Sequence, residues 1–149
     1  MKLFNLKYML LILIGATFLQ ACEKDADQWL KDNVTVIGKV PVIAAFSVTP
    51  AQADNKVPTG QTIKLDLRYW SDEPIDKIEL RSMVGTGGTY QLVETKPYQS
   101  AYSVKSKTDS LIFNYTVPNV AVGTAINMEV TVVNKNTLVK KSVLALAVK

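Results

Sequence analysis

No histidine occurs among the 149 residues. That removes the commonest general base, the usual zinc ligand and every Ser-His-Asp or Cys-His arrangement, and it is the strongest argument in the sequence against an enzyme. Cysteine occurs once, at Cys22, so no disulfide framework can form within the chain and stability must come from a core. A helical period is also missing: after Val34 no stretch repeats apolar residues every 3.6 positions. The longest apolar run, Met9 to Leu19, is shorter than the ~20 residues a spanning helix needs, and a charged stretch comes after it without a stop-transfer pattern.

What that run does contain is ordered. Lys2 and Lys7 form a short basic segment, Tyr8 to Leu19 an apolar one broken by Gly15, and Leu19-Gln20-Ala21-Cys22 closes it. The first three features are those of a secretory signal. The last four residues resemble the lipobox of bacterial lipoproteins, and the resemblance covers the first 22 residues. It implies that Cys22 is alkylated with diacylglycerol, that the chain is cut after Ala21, and that the new amino group is acylated too. The expected organisation is a signal peptide over 1–21, an acylated N-terminus and tether over 22–39, and one domain over 40–149. Cleavage leaves 128 residues, and the loss of Lys2 and Lys7 takes the net charge from +4 to +2, too weakly basic to suggest nucleic acid as a partner.

Behind the cysteine, Glu23-Lys24-Asp25-Ala26-Asp27 reads as a solvated tether. It is also similar to the short acidic stretch that accompanies surface export of Bacteroidetes lipoproteins, which would make Glu23, Lys24, Asp25 and Asp27 a targeting signal and place the domain on the outer membrane, facing outward. Trp29 and Leu30 suit either the edge of a domain or a bilayer interface.

From Val34 onward, short β-rich runs alternate with turn residues. A first strand is expected within Val40–Val48 and a polar loop over Ala51–Gly60. Ile63, Leu65, Leu67 and Tyr69 then alternate with Lys64, Asp66 and Arg68, which puts Trp70 on the face opposite Tyr69. A third strand over Lys77–Val84 turns Ile78, Leu80 and Val84 inward and Lys77, Glu79 and Arg81 to water. Gly85-Thr86-Gly87-Gly88 is a turn leading to a strand over Thr89–Thr95, and the irregular Lys96–Asp109 has room for a short edge strand near Ala101–Val104. Leu111, Phe113, Tyr115 and Val117 form one inward row, and Ile126, Met128, Val130 and Val132 another, with Asn127, Glu129 and Thr131 outward. Asn134-Lys135-Asn136 reads as a hairpin turn in which Asn supplies the positive φ. In the last strand Lys140 and Ser142 share a parity with Leu144, Leu146 and Val148, which suggests a bulge near Lys141.

The fold expected is all-β, an antiparallel two-sheet immunoglobulin-like sandwich of about seven strands. The Phe46-Ser47-Val48-Thr49-Pro50 and Phe113-Asn114-Tyr115-Thr116-Val117-Pro118 strands, with a closing hairpin, resemble the immunoglobulin-like domains of Bacteroidetes surface lipoproteins.

Candidate sites are few. Asp72, Glu73 and Asp76 offer hard oxygens but no spaced ligand loop, and an ordinary turn is the plainer reading. No metal and no cofactor are expected. Asp66, Glu79, Glu94, Asp109 and Glu129 could supply a glycosidase pair, yet most fall at outward strand positions where a charge faces water. Asp109-Ser110-Leu111 resembles the Asp-Ser/Thr-apolar triplet that Bacteroidetes O-glycosylate, with Ser110 as acceptor. The N-x-Thr patterns at Asn33 and Asn114 presuppose a secretory route the lipobox contradicts. Trp70, Tyr90, Tyr98 and Tyr102 fall at strand ends or in loops, where they either cover the core or stack on a sugar or protein partner. The expected function is a non-enzymatic surface lipoprotein binding glycan or protein. The competing expectation is an assembly subunit of an outer-membrane complex with no ligand of its own.

Overall fold

The computed structural model of the chain describes residues 28–31, 34–35 and 37–149. The lipidation position Cys22, the targeting residues Glu23, Lys24, Asp25 and Asp27, and Asn33 lie outside the described residues. Two compact units divide the chain at Ile37/Gly38. In the first, residues 28–31 form a helical turn, and the Val34 amide donates to the Leu30 carbonyl at 2.9 Å.

The second unit is an all-β sandwich of eight strands. They are β1 (Val42–Thr49), β2 (Lys56–Val57), β3 (Thr62–Trp70), β4 (Ile75–Val84), β5 (Gln91–Pro97), β6 (Asp109–Thr116), β7 (Ala125–Asn134) and β8 (Val139–Val148). One sheet has the order β1-β3-β6 and the other β2-β8-β7-β4-β5. All pairings are antiparallel except β2 with β8. Sequence neighbours such as β3 and β4 lie in different sheets, so the chain crosses between the two layers of the sandwich.

The alternation read from the sequence builds the core. Leu65, Leu67 and Tyr69 of β3 and Phe113 and Tyr115 of β6 face Ile78 and Leu80 of β4 and Ile126, Met128, Val130 and Val132 of β7, all buried. Each fully buried aliphatic or aromatic side chain contributes about 1.5–3 kcal/mol. The third strand begins earlier than expected, with Ile75 buried at its start.

Five expectations are corrected. Ala51–Gly60 is not all loop: Val57 is fully buried and β2 pairs with the end of β8, a two-residue strand too short to leave a periodic signal. Val84 is 41% exposed, as the last residue of β4 before the Gly85–Gly88 turn. Ala101–Val104 forms no strand; only Ser103 bridges to Thr108. In the β7–β8 hairpin the positive φ falls on Thr137, at 68°. Asn134 is buried instead, its Nδ2 donating to the Lys39 carbonyl at 3.1 Å and to Ser71 Oγ at 2.9 Å.

The fifth correction concerns β8. Its register with β7 runs unbroken from Ala125↔Ala147 to Val133↔Val139, so no bulge stands at Lys141. A three-stranded sheet facing a five-stranded one leaves part of the wider inner face uncovered, so Lys140 keeps its regular position and stays exposed.

On the outer face of the wide sheet, Glu129 and Thr131 are buried although their parity is outward. β7 lies between β8 and β4, and charged side chains on both neighbours form ion pairs beside it. Lys141 Nζ meets Glu129 Oε1 at 3.0 Å, while Lys77 and Arg81 grip the Glu79 carboxylate at 2.7 and 2.9 Å. The side of the sandwich where β5 and β6 form the two sheet edges is closed by Lys96, whose ammonium donates to the Ile112 carbonyl at 2.9 Å and lies 5.0 Å from the Phe113 ring centre.

Candidate functional site

The chain joins the sandwich at the pole defined by the end of β3 and the start of β6. There the Lys39 ammonium holds Asp72 at 2.7 Å, and Asn134 ties Lys39 and Ser71 together. The C-terminal residue lies at the other pole, where the Lys149 amide donates to the Val57 carbonyl at 2.9 Å.

Beside the joining point is a cleft of about 630 Å³ lined by Trp70, Ser71, Asp72, Tyr98, Tyr102, Lys107 and Asp109. It contains three of the four aromatic residues singled out in the sequence. Trp70 is the last residue of β3 and pairs with Val42 of β1. Because Tyr69 takes the core face, the pleat sends the indole outward, where it is 38% exposed. Tyr98 comes directly after the end of β5, its amide donating to the Asp76 carbonyl at 3.1 Å. Tyr102, 56% exposed, stands on the loop between β5 and β6. Tyr90 is not part of the group: it precedes β5 at the opposite pole, next to the Gly85–Gly88 turn.

Asp109 organises this loop. The carboxylate is 5% exposed, accepting from the Tyr98 hydroxyl at 3.2 Å and from the Ala101 amide at 2.7 Å. As the first residue of β6, opposite Tyr69 in the ladder, Asp109 turns inward under the loop. Its charge has an electrostatic signature. Burial above all, then the charge of Asp109 and the neighbouring Tyr98, push the Tyr69 phenol up to about 12.

Chemically the cleft offers two half-exposed aromatic faces, the Lys107 ammonium and hydroxyls. Ser71 Oγ accepts from the Glu73 amide at 3.2 Å and from Asn134 Nδ2 at 2.9 Å. Asp72 is engaged by Lys39, and no cluster of metal-ligating side chains occurs among the described residues. Ser110 is half-buried within β6, paired with Arg68 across the ladder. Glu79 and Glu129 sit in ion pairs on the outer face of the wide sheet and Asp66 pairs with Arg68, so these carboxylates do not converge on the cleft. A hollow of about 440 Å³ at the opposite pole, between Thr49, Pro58, Thr62 and Lys149, has no aromatic lining.

Sequence reasoning missed Lys107 and the loop-fixing role of Asp109. Neither carries a local signal: Lys107 turns toward the cleft through a positive φ of 54° that a lysine does not advertise, and an aspartate at a strand start reads as an ordinary exposed charge.

Comparison with protein-family models and with curated proteins gives no match. Among solved structures the chain is similar to a Niemann-Pick type C2 protein from Japanese carpenter ant, with 8% identity and a TM-score of 0.50 over 75% of this chain and 95% of that one. A conjugative transposon lipoprotein from Bacteroides eggerthii aligns with 10% identity and a TM-score of 0.43, over 72% of this chain and 94% of that one. At such identity the first likeness is one of fold, and it agrees with the two-sheet sandwich described above.

Proposed function

We propose that the chain is a non-enzymatic lipoprotein, anchored in the outer membrane through acylated Cys22 and exposed at the cell surface, whose immunoglobulin-like sandwich binds glycan in the Trp70–Tyr98–Tyr102 cleft. The observation that supports this reading is the convergence on one cleft of Trp70, from the end of β3, with Tyr98 and Tyr102 of the β5–β6 loop. Sugar rings present apolar C–H faces that stack on indole and phenol rings, while flanking hydroxyls and charges fix their orientation. Hydrolysis would need a second carboxylate across the cleft from an available first one. Asp109 already has both oxygens engaged inside the protein.

The assembly reading has its own support in β5, an edge strand with Leu92 and Val93 exposed, since unpaired edges and apolar surface invite protein contact. A thermal-shift survey of the mature protein against polysaccharides separates the two. A ligand-dependent rise in melting temperature, lost in Trp70→Ala, supports the glycan cleft. Self-association with no shift on any polysaccharide favours assembly.

A further inference from the structure

The pole at which a membrane tether joins a domain biases which way that domain faces. Gly38 lies sixteen residues after Cys22; fully extended, that length of chain reaches at most ~55 Å at 3.3–3.6 Å per residue, and any folding shortens it. A ten-residue strand spans about 33 Å. The chain joins the sandwich at the pole that carries Gly38, the near pole, and Lys149 lies at the far one.

The near pole carries a feature suited to that position. Between Tyr98 and Thr108 the loop contains two lysines, Lys105 and Lys107, and no acid. Its tip is held open by a tight turn, the Ser103 amide donating to the Thr108 carbonyl at 3.0 Å and the Lys107 amide to the Ser103 carbonyl at 2.8 Å. That turn presents Val104 to solvent, 82% exposed, next to the half-exposed Tyr102. One exposed valine is ordinary on a protein surface. An apolar tip with a tyrosine before it and two ammonium groups after it is the composition of an interfacial contact, where aromatic rings sit at headgroup level and lysines meet anionic lipid. At the far pole Val122 is 76% exposed, but its loop, Pro118 to Thr124, has no lysine or arginine, and Lys64 and Lys149 at that pole line the hollow beside Thr49 and Thr62 instead. The near pole is not basic throughout. Glu73 and Asp76 lie on or beside the β3–β4 turn, and Asp72 is neutralised by Lys39, so contact falls to the β5–β6 loop and not to the whole pole.

We infer that the Ala101–Lys107 loop rests on the bilayer that holds the anchor, with Val104 in the headgroup layer and Lys105 and Lys107 on anionic lipid. This rests on the lipoprotein reading and deepens the glycan one: a cleft held there meets sugars carried by lipids of that membrane before it meets free polysaccharide.

The test uses the lipidated full chain reconstituted into phosphatidylcholine–phosphatidylglycerol vesicles. With Cys22 acylated, Val104→Cys and Val122→Cys each introduce one free thiol for an environment-sensitive fluorophore. Lipids brominated near the headgroup are expected to quench the label at 104 several-fold more than the label at 122. Adding Lys105→Glu and Lys107→Glu is expected to abolish that difference while the protein stays with the vesicles. Equal quenching at the two positions, or no quenching at 104, overturns the inference and leaves the anchor intact. Protein that fails to stay with the vesicles overturns the lipoprotein reading, and this one with it.

Discussion

The Tyr98 hydroxyl donates to Asp109 Oδ2 at 3.2 Å while Oδ1 of the same carboxylate accepts the Ala101 amide at 2.7 Å. One buried group thus fixes both the ring that lines the cleft and the backbone that carries Tyr102.

Removing that group separates loop order from global stability. Asp109→Ala leaves the Ala101 amide and the Tyr98 hydroxyl without their partner, at a cost of about 1–3 kcal/mol. Hydrogen exchange or limited proteolysis is expected to show the larger effect between Gln99 and Lys107, and Asp109→Asn, which retains one acceptor, is expected to fall between. Unchanged loop protection in Asp109→Ala would refute the clamp.

Trp70→Ala and Tyr102→Ala are expected to change unfolding free energy by less than about 1 kcal/mol, the usual range at exposed positions, and to weaken glycan binding. Tyr90→Ala, at the other pole, is expected to leave binding unchanged. Denaturant titration beside a polysaccharide-binding assay reads both quantities. A loss of several kcal/mol in Trp70→Ala would make the indole part of the core, and undiminished binding would move the site elsewhere.

Legibility in the sequence tracked periodicity. Leu65, Leu67 and Tyr69, or Ile126 to Val132, reveal their face because a strand with one wet side must alternate. The same rule placed Trp70 outside. It failed where burial has another cause. Val57 is buried by a two-residue pairing, Glu129 lies on a central strand under an ion pair from Lys141 of β8, and Lys140 stays wet on an inner face because the opposite sheet is narrower. The cleft was legible as a set of aromatic residues at strand ends and not as a place. Only the sheet order brings Trp70 of one sheet beside Tyr98 at the edge of the other.

These distinctions are measurable in stability. Leu65→Ala is expected to cost ~2–5 kcal/mol and Lys64→Ala almost nothing. Glu129→Ala, which parity alone would class with Lys64→Ala, is expected to cost about 1 kcal/mol, because a mostly buried carboxylate loses its hydrogen bond from Lys141 while that lysine returns to water. Equal, negligible effects of Glu129→Ala and Lys64→Ala in chemical denaturation would show that the outer-face network contributes nothing.

Tyr69 and Glu79 contribute at opposite ends of the pH range. Tyr69 ionises near 12 in the folded protein against 10.0 ordinarily, so the unfolded state loses its proton first as pH rises. The associated stability, on the order of 2–3 kcal/mol, is fully present below pH 10 and lost between there and about 12. Glu79 behaves oppositely. Hydrogen bonds from Lys77 and then Arg81 hold its carboxyl below the ordinary 4.5, so its contribution is present above that value and lost as pH falls through the lowered one. Tyr69→Phe is expected to flatten the alkaline limb and Glu79→Gln the acid limb of a melting-temperature profile. A variant that moves the wrong limb would refute its assignment.

The anchor is tested upstream of the sandwich. One acyl chain binds a bilayer marginally whereas two or three hold it stably, so Cys22→Ser is expected to release the protein from membranes or leave it uncleaved. Variants that keep Cys22 but neutralise Glu23, Asp25 and Asp27 together are expected to remain lipidated and membrane-bound while losing access to protease added outside whole cells. Membrane partitioning of Cys22→Ser after confirmed removal of residues 1–21 would refute lipidation. Unchanged accessibility of the triple variant would refute the targeting role of the acidic stretch alone, because the lipidation proposed at Cys22 rests on Leu19 to Cys22 and not on Glu23 to Asp27. The two measurements therefore divide the proposed location into an anchor and an address that fail independently.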